Sequence, residues 1–294
     1  MTINFAPAED CLADLLTRFG SLEGVTDVNC SHGGVALRRN GRSEPVDIPV
    51  LDEEIAELGN LMASALDLEL NQRRPVLEKR LPPKYRITLS HPSITQSGRW
   101  NASIRILPTT TIPLARYVED GAVDVATAER LRQLASTRNT MLISGATGAG
   151  KSTLLRSLLG EIPVHDRLVI IEQGAELNIS RPNMVAMEST DDCSFEDLIA
   201  HSLRLDPDVI VVGEVRGREA SRFITIAAAG HPACTTIHAD GKEKSLIRLH
   251  RMVRLSEPNF DRVELDGAID AVCHVRLDPA TGRRALELWE PQSG

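Results

Sequence analysis

The amino-acid sequence predicts an α/β protein, a mainly parallel sheet covered on both faces, preceded by a smaller α+β unit. Three observations carry that expectation. From about residue 122 onward, short apolar runs alternate with helical stripes. A glycine-rich loop joins one of these runs directly to a helix. A stretch of prolines and threonines separates this pattern from a different one before it.

The first unit is expected over residues 1–106. Cys11, Leu12, Leu15, Leu16 and Phe19 recur with the spacing of an amphipathic helix that buries one face. "VTDVNCSHGGVALRRNG" reads as two β-prone runs broken at Gly33-Gly34, a hairpin. Leu51, Ile55, Leu58, Met62 and Leu66 make a second helical stripe, and "KYRITLSHP" and "WNASIRI" read as strands. "LPTTTIPLA" then places two prolines around three threonines. Proline removes a backbone donor and restricts the residue before it, so this segment suits neither a helix interior nor a central strand. A flexible linker is expected over 107–121, and the second domain over 122–294.

In that second domain "TMLIS", "RLVIIEQ", "DVIVVGE" and "ACTTIHA" are the apolar runs. Runs this continuous suit strands buried on both faces. One intervening helix begins after Ser194, a capping residue with Asp197 three positions on, and its stripe is Phe195, Leu198, Ile199 and Leu203. "CHVRLDPATGRRALELWE" closes the chain as a hairpin turning at "ATGR".

Composition narrows the function classes. Across 294 residues, 42% are hydrophobic and 25% charged, the balance of a soluble globular protein. No apolar run approaches the ~18–20 residues of a membrane span. The start, "MTINFAPAEDCLADLL", has no basic residue before Arg18 and no signal-peptide core, so a cytoplasmic protein is expected. A net charge of −8 counts against nucleic acid as the main ligand, because Lys and Arg contacts to phosphate supply most of that affinity. The five cysteines, at 11, 30, 193, 234 and 273, are scattered without a CxxC pair, which suits reduced thiols.

The strongest local signal is "GATGAGKST", residues 145–153, which fits G-x-x-x-x-G-K-[ST] between a strand and a helix. Gly145, Ala146, Thr147, Gly148, Ala149, Gly150, Lys151, Ser152 and Thr153 would wrap backbone N–H groups around phosphates, helped by the positive end of the helix dipole. Lys151 would reach the β- and γ-phosphates of ATP, and the Ser152 hydroxyl would hold Mg²⁺. "DVIVVGE" delivers Glu214 at a strand's C-terminal end, where open α/β sheets bind ligands. Glu214 is the candidate metal ligand. "VIIEQGAEL" ends in Glu172, the candidate for activating water, with Glu176 beyond it. The sequence leaves those two roles exchangeable.

"GHPACTTIHAD" places Cys234 between His231 and His238. Zinc needs ligands converging at about 2 Å, whereas three residues of strand already span ~10 Å. No zinc is therefore expected. No oxyanion-hole motif accompanies a Cys–His pair. The remaining readings are core or capping histidines, or His238 as a γ-phosphate sensor, able to donate to the phosphate and feel its loss.

Taken in order, "GATGAGKST", "IIEQGAEL", "LRLDPDVIVVGEVRGREA" and "GHPACTTIHAD" resemble the Walker A, Asp, Walker B and His boxes of the secretion ATPase family. That family powers type II secretion, type IV pili and type IV secretion. "VGEVRG…A" and "GH…TTIHA" look most like its type IV secretion and conjugation branch, with the tight-adherence pilus motors close behind. "VTDVNCSHGGVALRRNG", "ASIRI" and "RYVEDG" are similar to its N-terminal domain and linker. The resemblance implies a RecA-like P-loop NTPase domain, ATP and Mg²⁺ as cofactors, and a homohexameric ring. It also implies peripheral attachment to inner-membrane components of a secretion or pilus machine. Glu172 matches the Asp-box glutamate, Glu214 the Walker B glutamate, and His231 and His238 the His-box pair. Arg105, with Arg116 a weaker match, corresponds to arginines that reach the nucleotide in relatives. Gln173 stands where the family usually has aspartate, and Ile106 where a lysine usually follows the arginine. A nucleic-acid translocase and a non-hydrolysing scaffold are the competing classes.

Overall fold

The computed structural model describes residues 3–31, 34–39, 42–174, 177–190, 193–278 and 281–291. They fall into two compact units, Met1–Thr109 and Thr110–Gly294.

Among its described residues the first unit has two α-helices, α1 (Ala6–Thr17) and α2 (Asp52–Ala65), a short 3-10 turn at Pro92–Ile94, and six strands. These are β1 (Val25–Ser31), β2 (Gly34–Arg39), β3 (Arg42–Val46), β4 (Val76–Leu81), β5 (Tyr85–Ser90) and β6 (Asn101–Ile106). They form one sheet in the order β3-β2-β1-β6-β5-β4, every neighbour antiparallel. Leu12, Leu15 and Leu16 of α1 and Ile55, Leu58 and Met62 of α2 pack on Val28, Ile87, Leu89 and Ile104 of the sheet. The two helical stripes thus bury a single face of the sheet. The hairpin expected at Gly33-Gly34 is present as the β1–β2 pair, and its turn residues His32 and Gly33 lie outside the described residues. The sequence reading missed β3 and β4. "RSEPV" is almost wholly solvent-facing and contains Pro45, which a sheet tolerates at its edge.

The second unit begins inside the expected linker. α3 (Leu114–Glu119) occupies part of 107–121, and its Leu114 and Tyr117 are buried in the core of this unit. α4 (Val125–Ser136) leads into β7 (Met141–Gly145), the glycine loop and α5 (Lys151–Glu161). Next come β8 (Leu168–Glu172), β9 (Met184–Glu188), α6 (Phe195–Ser202), β10 (Val209–Glu214), α7 (Glu219–Ala228) and β11 (Ala233–His238). α8 (Lys242–Val253), α9 (Arg262–Ala268), β12 (Ala271–Leu277) and β13 (Arg284–Trp289) complete the chain. The sheet order is β13-β12-β7-β11-β10-β8-β9, with every pair parallel except β12 and β13.

Alternation along the central strands explains why they read as continuous apolar runs. Met141 and Ile143 of β7 pack with Leu154, Leu155 and Leu158 of α5 on one face. Leu142 packs with Phe223 of α7 and Leu246 and Leu249 of α8 on the other. β8 divides in the same way, Leu168 and Ile170 against Val169 and Ile171. Each such side chain, fully buried, contributes about 1.5–3 kcal/mol. Ser194 caps α6, accepting from the Asp197 amide at 3.1 Å, and the helix ends at Ser202, which leaves Leu203 39% exposed outside its stripe.

Candidate phosphate-binding site at the sheet tips

β7, β11, β10 and β8 are consecutive neighbours, and each ends its C-terminal tip in a candidate residue. Gly145 closes β7 and pairs in register with His238, the last residue of β11. Glu214 ends β10 beside Thr236, after a register shift that follows Val212. Glu172 ends β8. Parallel pairing carries these chemically useful side chains to one edge.

The loop then turns into α5 through Gly150, whose φ of +106° suits glycine rather than a side-chain-bearing residue. Lys151, 7% exposed, folds back so that its ammonium donates to the Ala146 carbonyl at 3.1 Å and to His238 Nδ1 at 2.9 Å. An ammonium only donates, so Nδ1 accepts and the imidazole proton sits on Nε2. Nε2 lies 3.0 Å from Glu214 Oε1. Burial, then the Lys151 charge, hold His238 below its usual pKa, against the smaller upward pull of Glu214. A neutral imidazole therefore links an ammonium to a carboxylate.

Glu172 is 8% exposed, and its Oε1 accepts from the Leu177 amide at 2.9 Å. The carboxylate passes so close to β10 that a Cβ at Gly213 would lie 3.0 Å from Glu172 Cγ. A side chain at Gly213 would therefore press on Glu172. Thr236 Oγ1 donates to the Gly213 carbonyl at 2.8 Å and pins this tip to β11. Ser152, Glu172, Gln173, Leu177, Gly213, Glu214 and Arg216 enclose a cavity of about 20 Å³, space for a water or a small ion. The 3.0 Å contact with His238 lacks hydrogen-bond alignment. Glu214 Oε1 is thus buried with no hydrogen-bond donor among the described residues. A hydroxyl and two carboxylates, one of them with an oxygen that no described donor reaches, are the hard oxygen donors that Mg²⁺ takes.

The remaining sequence candidates sit just before β11, on β6 and α3, and in the glycine loop. His231 precedes β11 at the opposite end of that strand from His238, roughly 20 Å away for seven extended residues. Its amide donates to the Ile226 carbonyl at the end of α7. On its own chain His231 therefore does not share the strand tips with His238. Cys234 lies between them, buried within β11, with its thiol pushed up to about 12 by burial. Arg105, on β6 of the first unit, pairs through Nε with Asp27 Oδ1 at 2.9 Å. Arg116, exposed on α3, pairs with Glu119 and Asp120 at 3.3 and 3.1 Å. Thr153 sits in the first turn of α5, Ala146 and Thr147 are exposed in the loop, and Ala149 is buried. Glu176 lies outside the described residues.

Several contacts went unread in the sequence. Arg216 Nη2 lies 2.9 Å from Glu214 Oε2, a pairing that the i, i+2 charges of "EVR" could have suggested. Ser144 Oγ meets His274 Nδ1 at 3.0 Å beneath the loop, both residues buried, and Arg284 Nε donates to the Ala149 carbonyl at 3.0 Å. These two join segments more than a hundred residues apart, so local pattern carries no trace of them.

The profile of the family "Type II/IV secretion system protein" matches residues 44–287. The conjugal transfer protein TrbB of Rhizobium radiobacter is 31% identical over 232 residues, 77% of this chain and 71% of the relative. The crystal structure of the VirB11 ATPase from the Brucella suis type IV secretion system, in complex with sulphate, aligns with a TM-score of 0.52 and 28% identity. It covers 97% of this chain and 94% of that one. The pilus retraction motor PilT with bound ADP aligns with a TM-score of 0.69 and 23% identity, over 95% and 83% of the two chains, a likeness of fold.

Proposed function

The chain belongs to the type II/IV secretion system protein family, and from that premise we propose that it is a Mg²⁺-dependent ATPase driving type IV secretion or conjugative transfer. One observation carries the reading: Lys151, His238 and Glu214 form a contact chain beside a cavity lined by Ser152 and Glu172.

Each residue has a part in that reaction. The loop amides and the α5 N-terminus receive the phosphates, and Lys151 exchanges its Ala146 and His238 contacts for β- and γ-phosphate oxygens. Ser152 and Glu214 would hold a magnesium ion. When bound, the ion neutralises charge on the β- and γ-phosphate oxygens. Glu172 orients the attacking water and accepts its proton. His238, relieved of Lys151, turns its imidazole toward the terminal phosphate and registers its departure. Gln173 carries no charge, so Glu172 performs its role without a neighbouring aspartate.

At the level of assembly, head-to-tail copies close into a homohexamer, and hydrolysis swings the first unit through the segment around 107–113. The ring associates with inner-membrane components of the machine through partners; among the described residues no helix is long and apolar enough to cross a membrane.

The test is ATP turnover measured against protein concentration, with the mass of the species determined in parallel. Turnover that requires Mg²⁺, stops on chelation and rises with a ring-sized species is the expected result. Full turnover by a monomer, or turnover indifferent to Mg²⁺, overturns the proposal.

A further inference from the structure

We propose that Ser144 and His274 are a buried hydrogen-bonded pair that sets the position of the glycine loop, with His274 acting through Ser144 as a positioning residue of the reaction. This role rests on the phosphate seat proposed above and concerns what holds that seat in place.

The pair stands where an apolar layer stops. Val272 of β12 is in register with Leu142 of β7, and both belong to the buried cluster of Phe223, Leu246 and Leu249. One row nearer the strand tips, His274 is in register with Ser144, the last residue before Gly145. Ser144 is fully buried and His274 is 6% exposed, and His274 Nδ1 lies 3.0 Å from Ser144 Oγ. On the other side of β7, Ser144 is in register with Ile237, whose side chain has no polar atom to offer. Among the described residues, His274 is thus the partner of the serine hydroxyl. Burial holds His274 below its usual pKa, against smaller upward pulls from Glu287 and Asp240, so the imidazole is neutral at neutral pH.

An apolar pair in this row would fill the same space without desolvating polar groups. The polar pair adds what packing alone does not, a fixed distance and direction between β12 and β7. What it fixes is the departure of the loop. Val275, next on β12, is in register with Gly145, and a Cβ at Gly145 would collide with the Val275 carbonyl. The partner strand of the hairpin reaches further into the loop, where Arg284 Nε donates to the Ala149 carbonyl at 3.0 Å. Loop amides that converge on phosphate oxygens must be held to within about 0.5 Å, and supporting hydrogen bonds behind them supply that precision. The pair touches no reacting atom. Its loss therefore weakens ground-state and transition-state binding alike, so KM rises while kcat holds.

The experiment measures ATP turnover, and equilibrium binding of a non-hydrolysable ATP analogue, on the full chain with Mg²⁺, as wild type and as three variants. Ser144→Ala leaves Nδ1 buried without its partner. Analogue affinity should fall and KM rise about fivefold, the scale of one orphaned buried polar group, with kcat within about twofold of the parent. His274→Asn puts an amide where Nδ1 stood and should keep the parental values. Ser144→Ala/His274→Leu removes both partners and should recover most of the lost affinity, because no polar group is then left unpaired. Parental affinity in Ser144→Ala overturns the inference and leaves the phosphate seat standing. So does a fall in kcat at unchanged KM, or a His274→Asn protein as impaired as Ser144→Ala. Should the double variant fail to fold, the contrast between the two single variants decides. A wild type that binds no analogue sinks the seat and the pair's role together.

Discussion

Lys151→Ala should reduce ATP turnover by about 10²–10³ or more, the scale of one preorganised charge donor removed from a transition state. Lys151 is nearly buried, and its ammonium reaches two acceptors at the mouth of the loop, the Ala146 carbonyl and His238 Nδ1. Both are neutral, and a phosphate oxyanion is a stronger acceptor for the ammonium than either. Removing it should also relax His238. Its pKa is held down first by burial and then by this charge, so the variant's imidazole should titrate at higher pH than the wild type's. The fold should survive, because α5 is anchored by Leu154, Leu155 and Leu158 rather than by the lysine. Turnover and the His238 titration, followed by NMR, check both parts. Unimpaired turnover would remove the loop from the chemistry.

Glu172→Gln should separate binding from hydrolysis. The amide oxygen can still accept from the Leu177 N–H, which holds the side chain at 2.9 Å in the parent, and the shape beside Gly213 is kept. Charge and basicity are lost. Turnover should fall about 10²–10⁴-fold, the range for a lost general base, while ATP still binds. Equilibrium binding and single-turnover hydrolysis measured on the same preparation check this. Normal hydrolysis by the variant would move water activation to Glu214, which lines the same cavity.

The fold was legible where burial is two-sided. β7, β8, β10 and β11 pack side chains on both faces, so their sequences are unbroken apolar runs that need no long-range knowledge to recognise. Edge strands gave no such signal. β3 is solvent-facing and carries a proline, and none of the residues of β9 is fully buried. α3 was hidden behind the prolines of its own approach, although Leu114 and Tyr117 already belong to the core. The glycine loop and the acid-tipped strands placed Lys151, Glu172 and Glu214 at one sheet edge from sequence alone, because motif and strand end coincide there. His231 was carried by its motif alone, and strand length put it at the far edge. Arg284 and His274 needed the β12 pairing to reach the loop, information that exists only after folding.

The central claim is that the tips of four adjacent strands surround the terminal phosphate of one bound nucleotide. A crystal structure with Mg²⁺ and a non-hydrolysable ATP analogue tests it most directly. The account predicts the γ-phosphate within about 3 Å of Lys151 Nζ, the metal on Ser152 Oγ and Glu214, and Glu172 facing the phosphorus. An analogue bound with its phosphates away from Lys151, or with Glu172, Glu214 and His238 turned from them, would contradict it.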